Sequence, residues 1–240
     1  LGVSYTYSVP VTELLQERLL ITIPLALLAM GLSVLIAFSL GVYAASHHNQ
    51  KGDVLIMGIS QLGISIPNFW LALLLILLFA VNAGWFASGG FPGWDAGLWA
   101  ALKALLLPAL ALATVQGAIL ARFTRSAVLE TLREDYVRTA RAKGLTQRQT
   151  LWRHVLRNAM IPIVTVMGLQ FANLLAGTIV VENVFSLPGI GRLILQSISN
   201  RDVVVVRDVV TLLVAMVVVI NFFVDILYAV IDPRLRARDV

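Results

Sequence analysis

The chain has 240 residues, of which 59% are hydrophobic and 13% charged, and its formal net charge is +5. A soluble domain averages about a quarter charged residues, and so few charges cannot cover this much apolar surface in water. The composition therefore predicts an integral membrane protein and excludes an ordinary soluble enzyme domain. Because the chain has no cysteine, disulfides, thiolate metal sites and cysteine nucleophiles are excluded as well.

Five stretches are long and apolar enough to cross a bilayer, which takes about 20 residues. Their apolar runs are continuous rather than alternating, which favours helices over barrel strands. We therefore predict an all-α membrane protein whose second span is interrupted at Pro67-Asn68. The predicted spans are residues 19–45, 54–85, 98–121, 159–181 and 209–231.

The distribution of Lys and Arg between the loops predicts the orientation of the chain. The loop at Lys51, the segment 122–158 and the tail 230–240 hold one, nine and three of the 18 Lys and Arg residues, against five on the other side. The first side is therefore expected to be cytoplasmic, and the basic residues are expected to serve topology rather than nucleic-acid binding. The N-terminal segment 1–18 and the loop 183–208 are then external.

That external N-terminus begins Leu1-Gly2, with no start methionine and no export signal. It translocates unaided, or a preceding span is missing from this chain. We favour a missing first helix, which gives five spans here and six in the intact protein.

The segment 122–158, which we call the elbow, is too long for a turn and too polar for a span. Gly144 after Lys143 is typical of a helix C-terminal cap, and Thr146 with Gln149 is typical of a capping box. We therefore predict two helices that meet at a corner, the second running into the fourth span. An amphipathic helix before the corner is predicted from residues that recur at steps of three and four: Leu129, Leu132, Tyr136 and Ala140.

The elbow has three interpretations. It can be a solvated basic loop that obeys the positive-inside rule, or a basic amphipathic surface that lies on anionic lipid. It can also dock into another protein and pass force to the flanking spans.

The elbow sequences 135–145 and 154–162 resemble the EAA loop of ABC importer permeases, in the variant of the dipeptide/oligopeptide/nickel group. Aligned on Gly144, only Ala140, Gly144 and Leu156 match the general pattern, and the departures are those of the peptide-type subgroup. The start of the chain, residues 181–191 and residues 232–236 also resemble the B-type permease of that group. The resemblance therefore covers nearly the whole chain.

The resemblance implies the transmembrane domain of an ABC type-1 importer in a bacterial inner membrane, with peptides or related solutes such as nickel chelates as cargo. It also implies a second permease, expected to be a different chain, two cytoplasmic ATPase subunits and an external solute-binding protein. The elbow would be the coupling helix that an ATPase holds. The implied coupling residues are Tyr136, Val137, Arg138, Ala140, Arg141, Lys143, Gly144 and Leu145.

The sequence contains no recognisable catalytic motif. There is no phosphate-binding glycine loop, and Gly189-Ile190-Gly191 predicts a turn into an external amphipathic helix instead. We expect no catalytic residue, no metal site and no cofactor bound by this chain, so that ATP hydrolysis falls to partner subunits.

Polar residues inside spans often mark a transport pathway. Gln116, Gln170 and Asn173 are the candidates, and hydrogen bonding between helices is the alternative role. Small residues at every fourth position of the third span, from Ala109 to Ala121, predict close helix packing, within one bundle or between subunits. An alternative class, a secondary transporter or channel without an ATPase, would predict inverted repeats and charged residues at mid-depth; neither is visible.

Overall fold

The computed structural model describes residues 2–231, which are helical apart from short connections, and the predicted tail beyond residue 231 lies outside them. Segments of π-helix extend α3 over Ile76–Asn82 and join α6 to α7 over Leu151–Val155. The α-helices are α1 Val11–Ser46, α2 Lys51–Ser65, α3 Asn68–Leu75, α4 Leu98–Thr131, α5 Asp135–Ala142, α6 Gln147–Thr150, α7 Leu156–Val184, α8 Ile190–Ser199 and α9 Val203–Ile231.

Four helical runs in the described chain are long and apolar enough to cross a membrane, and the α2–α3 pair makes a fifth if it counts as one span. The pair is bent by 101° at Ile66 and Pro67. Proline has no backbone N–H, and it holds the residue before it in an extended conformation; Ile66 has ψ 123°. The bend lies where the sequence predicts an interruption, but residues 54–85 do not share one axis.

The helices also extend beyond the predicted spans. α1 begins at Val11, inside the predicted external segment 1–18, and α4 continues to Thr131, past the predicted end at residue 121. Hydropathy marks where apolar residues stop, whereas a helix continues into water for as long as its backbone hydrogen bonds and caps are satisfied. α9 likewise begins at Val203, within the predicted loop 183–208.

The contact between α1 and α4 depends on small residues. The stripe from Ala109 to Ala121 on α4 is buried, and a Cβ on Gly117 would lie 3.0 Å from the Ile36 side chain of α1. On α1, a Cβ on Gly41 would lie 2.7 Å from the carbonyl oxygen of Ala121. The two backbones approach closely because these side chains are small or absent. The stripe therefore packs helices within one bundle.

One end of the bundle is organised by a buried carboxylate on α7. The Glu182 Oε1 atom accepts a hydrogen bond of 2.6 Å from the Thr22 hydroxyl of α1, and Oε2 accepts one of 2.7 Å from the backbone N–H of Gly191. A carboxylate is favourable at the N-terminus of a helix such as α8. A side chain on Gly189 would collide with this carboxylate, so the glycine makes room for it.

The N-terminal hairpin, residues 2–10, is attached to the same end through Asp202, which precedes α9. Its Oδ2 atom accepts hydrogen bonds of 2.5 Å from the Ser4 hydroxyl and 3.0 Å from the Thr6 N–H. Burial alone would raise the pKa of Asp202, but these bonds and one from the Val205 N–H lower it, and the pKa lies below its ordinary value. The carboxylate is thus charged at neutral pH and holds the hairpin on the bundle.

Substitution of Gly41 tests the close contact between α1 and α4. We expect Gly41→Leu to destabilise the protein by about 3 kcal/mol, because backbone atoms of α4 cannot move away from the new side chain. Gly31→Leu on the same helix is the control, since nothing lies within 4 Å of its Cβ position. Thermal unfolding in detergent measures both. Equal midpoints for the two variants would contradict the packing described.

Candidate functional site

The elbow changes direction twice. α4 ends at Thr131, and the N–H groups of Arg133 and Glu134 close a turn onto the carbonyls of Glu130 and Thr131, at 3.0 and 3.2 Å. Glu134 is extended, with ψ 145°, and α5 begins after it. The single amphipathic helix predicted through residues 129–140 is therefore wrong, because the chain breaks at residues 132–134.

The break turns a different face of α5 towards the bundle. Val137 and Ala140 are the buried residues of α5, whereas Tyr136 is 40% exposed. Val137 packs into an apolar cluster, which we call the elbow anchor, that joins α1, α4, α5 and the α6–α7 junction. Its buried members are Val42, Ala45, Ala127, Val128, Val137, Leu151, Val155, Leu156, Ala159 and Ile163.

The corner after α5 follows the predicted capping chemistry. Gly144 has φ +90°, a conformation that costs little only for glycine. Its N–H donates to the Arg141 carbonyl at 2.9 Å, and the Leu145 N–H donates to the Ala140 carbonyl at 3.3 Å, which is the Schellman pattern. The predicted capping box at Thr146 is confirmed by reciprocal bonds with Gln149. The corner is therefore fixed by local hydrogen bonds.

The outer surface of the elbow is basic. Arg138, Arg141 and Lys143 are all exposed, and Arg138 forms an exposed ion pair with Asp135, at 3.6 Å. Such exposed pairs contribute little to stability. The Tyr136 hydroxyl accepts a hydrogen bond of 2.8 Å from the Asn158 side chain. The basic groups are thus available to a partner.

One part of this surface was not predicted from the sequence. Trp152 is 59% exposed and lines an open concavity with Arg148 and Arg153. Exposed tryptophan and arginine are enriched where proteins bind other proteins. The signal in the sequence was a tryptophan between two arginines in a segment too polar to be a span.

The three candidate pathway residues lie on two helices. Gln170 on α7 is buried and accepts a hydrogen bond of 3.2 Å from the exposed Asn173. Gln116 on α4 is buried, and its Oε1 atom has no protein partner among the described residues. Among the described residues, no hydrogen bond joins Gln116 to Gln170 or Asn173.

Asn68 is a further polar residue of the interior and is not among the pathway residues predicted from the sequence. It begins α3 just after the bend, and its Oδ1 atom is buried without a protein partner in the described chain. Its amide nitrogen lies 3.4 Å from the Cβ position of Gly177 on α7. An asparagine directly after a proline within an apolar run was the available signal.

The apolar bundle and its bent second span define a multi-pass membrane protein, and the elbow is its most basic surface segment. Within residues 2–231, no group of three His, Asp or Glu residues could hold a metal ion. Residues 37–237 match the family described as the binding-protein-dependent transport system inner membrane component. The chain belongs to this family.

Three curated relatives match nearly the whole length of this chain. The chain is 44% identical over 238 residues to a Brucella abortus protein named as a peptide transport system permease, covering 98% of this chain and 75% of that protein. It is 41% identical to the oligopeptide transport system permease protein AppB of Bacillus subtilis, with coverages of 95% and 72%. It is 42% identical to the glutathione transport system permease protein GsiC of Salmonella typhimurium, with coverages of 99% and 75%.

Solved structures show the same fold. An inward-facing form of the MetNI methionine ABC transporter matches with a TM-score of 0.78 at 20% identity, covering 93% of this chain and 98% of that one. An amino acid ABC transporter matches with a TM-score of 0.67 at 18% identity, covering 90% and 94%. The chain is thus a translocation subunit of an ABC importer and not an enzyme, and the family assignment removes the alternative of a self-sufficient secondary transporter or channel.

Substitution of Val137 tests whether the elbow is anchored. We expect Val137→Asp to release α5, because an unpaired carboxylate is costly in an apolar cluster, and to speed trypsin cleavage at the neighbouring basic residues at least tenfold. Thr139→Asp is the control, since Thr139 is exposed on the same helix. Limited proteolysis of the purified protein, followed by mass spectrometry, measures both rates. Equal cleavage of the two variants would show that Val137 does not anchor the helix.

Proposed function

We propose that this chain and a second permease of different sequence together form the pathway of a bacterial peptide importer. Two cytoplasmic ATPase subunits drive it through the elbows, and an external solute-binding protein delivers the cargo. The observation that carries the proposal is an elbow that is attached to the bundle by buried apolar side chains and that presents exposed basic groups on its outer surface.

The orientation in this proposal comes from the distribution of charge. The elbow holds nine of the 18 Lys and Arg residues, and cytoplasmic loops carry such an excess. α7 has 29 residues and separates the elbow from α8 by about 43 Å at 1.5 Å per residue. The elbow end is then cytoplasmic, as is the C-terminus, and the α8 end with the N-terminal hairpin faces the binding protein.

The proposed coupling residues divide into two groups. Val137 and Ala140 hold the elbow to the bundle from inside. Direct contact with the ATPase falls to the exposed groups, and acidic side chains on the ATPase are the complementary partners for the basic ones. Because the elbow anchor includes residues of α1, α4 and α7, a movement of the elbow is passed to three spans at once. The exposed group is Tyr136, Arg138, Arg141, Lys143 and Gly144, and Leu145 beside it is half-buried.

The cargo in this proposal is a peptide or a related solute. The names of the relatives specify peptides and glutathione and favour them over nickel chelates, the other solute implied by the sequence resemblance. Gln116, Gln170 and Asn173 are the proposed pathway residues, because side-chain amides can replace the water that a peptide backbone loses. The chain itself binds no cofactor, and ATP is bound by the partner subunits.

Charge reversal on the elbow tests this proposal. We expect Arg138→Glu/Arg141→Glu to lower co-purification of the ATPase with the tagged permease at least tenfold, because like charges at an interface cost several kcal/mol. Lys51→Glu is the control, since Lys51 is an exposed basic residue at the same end of the bundle. Retention of the ATPase by the double variant at the level of the control would refute the docking role of the elbow.

A further inference from the structure

The first half of the bent span, α2, is attached to the rest of the chain along one side. Its contacts in the described chain are with α4 and, to a smaller extent, with α1. Its other side carries apolar residues that are exposed: Val54, Leu55, Ile59 and Leu62. The position of α2 is therefore set by its contacts with α4 and α1 on that one side.

The strongest of these attachments is an ion pair whose carboxylate is buried and whose guanidinium is partly exposed. Asp53, at the first turn of α2, is 2% exposed. Its Oδ1 atom accepts a hydrogen bond of 2.6 Å from Arg125 Nε, and its Oδ2 atom accepts one of 2.7 Å from Arg125 Nη2. This bidentate arrangement fixes the direction of both side chains as well as their distance.

The loop between α1 and α2 closes around the same carboxylate. The Asn49 N–H donates to Asp53 Oδ2 at 2.9 Å, and the His48 Nδ1 atom lies 3.3 Å from it. Asn49 adopts a left-handed conformation, with φ 63°, which brings its N–H to the carboxylate. The ion pair thus joins the loop after α1, the start of α2 and α4.

Arg125 lies on α4 six residues before its end at Thr131 and ten residues before α5 begins. A second bond, from Arg122 Nη1 to Gln61 Oε1 at 2.9 Å, joins the same two helices, but these side chains are exposed. Of the two links, the one at Asp53 is nearer α5, and its carboxylate is shielded from competing water.

We propose that the Asp53–Arg125 ion pair is a positioning link that makes α2, and with it the bend at Pro67, follow the movement of the elbow. The inference rests on the proposed function of the elbow. Apolar contacts between helices can slide past one another, whereas a bidentate ion pair keeps one register. Without the link, α4 moves with the elbow and α2 stays behind, so ATP hydrolysis no longer rearranges the second span.

The experiment uses the complete transporter reconstituted in liposomes and measures solute transported per ATP hydrolysed. Asp53→Asn keeps acceptor geometry for the Asn49 N–H but removes the charge, and Asp53→Cys/Arg125→Cys removes the pair altogether. Because the chain has no cysteine, a short bifunctional thiol reagent replaces the ion pair by a covalent link in the second variant. Arg122→Ala, which breaks only the exposed bond to Gln61, is the matched control.

We expect the transport-to-hydrolysis ratio to fall at least fivefold in both Asp53 variants while the ATPase remains bound and active. Crosslinking should restore the ratio of the cysteine pair to within twofold of wild type, and Arg122→Ala should stay within that range throughout. An unchanged ratio in Asp53→Asn, or a loss that crosslinking does not reverse, would overturn the link. Failure of the ATPase to bind even the wild-type chain would instead overturn the proposed function, and the link with it.

Discussion

The apolar contact between Val137 and the bundle is the constraint on which the rest of the account depends. A short polar helix outside the bilayer has little stability of its own, and the elbow holds its shape because Val137 is buried among residues of α1, α4 and the α6–α7 junction. The Gly144 corner and the Thr146 capping box then fix the direction in which the chain returns. A rigid attachment of this kind allows force on the elbow to reach several spans.

Buried carboxylates hold the two ends of the bundle, and each is satisfied by donors from distant segments. Glu182 joins α1, α7 and the start of α8, Asp202 holds the N-terminal hairpin, and Asp53 joins α2 to α4. Between the ends, small residues such as Gly41 and Gly117 allow α1 and α4 to pack closely. Polar bonds therefore define the ends of the bundle, while close packing of small residues brings α1 and α4 together between them.

Much of the fold could be predicted from the sequence because it follows from local patterns. Long apolar runs predict the spans, proline places the bend at residue 67, and the capping residues around Gly144 locate the corner of the elbow. The break at residues 132–134 could not be predicted, because the apolar residues on both sides of it are compatible with one continuous helix. The links of Glu182 to Thr22 and of Asp53 to Arg125 join residues 160 and 72 positions apart, and no local pattern reports such pairs.

For the site, the basic surface was visible in the sequence, but the assignment of Val137 to the interior and of Tyr136 to the surface required the structure.

In this account the elbow is a docking site on the cytoplasmic side for a separate ATPase. Since the chain has no cysteine, Arg141→Cys on the elbow and Tyr5→Cys on the N-terminal hairpin each provide a single labelling site, and both positions are exposed. A membrane-impermeant maleimide added to intact spheroplasts should label residue 5 and leave residue 141 unlabelled; inside-out vesicles should reverse this result, and bound ATPase should protect residue 141. Labelling of residue 141 from outside intact spheroplasts would contradict the account.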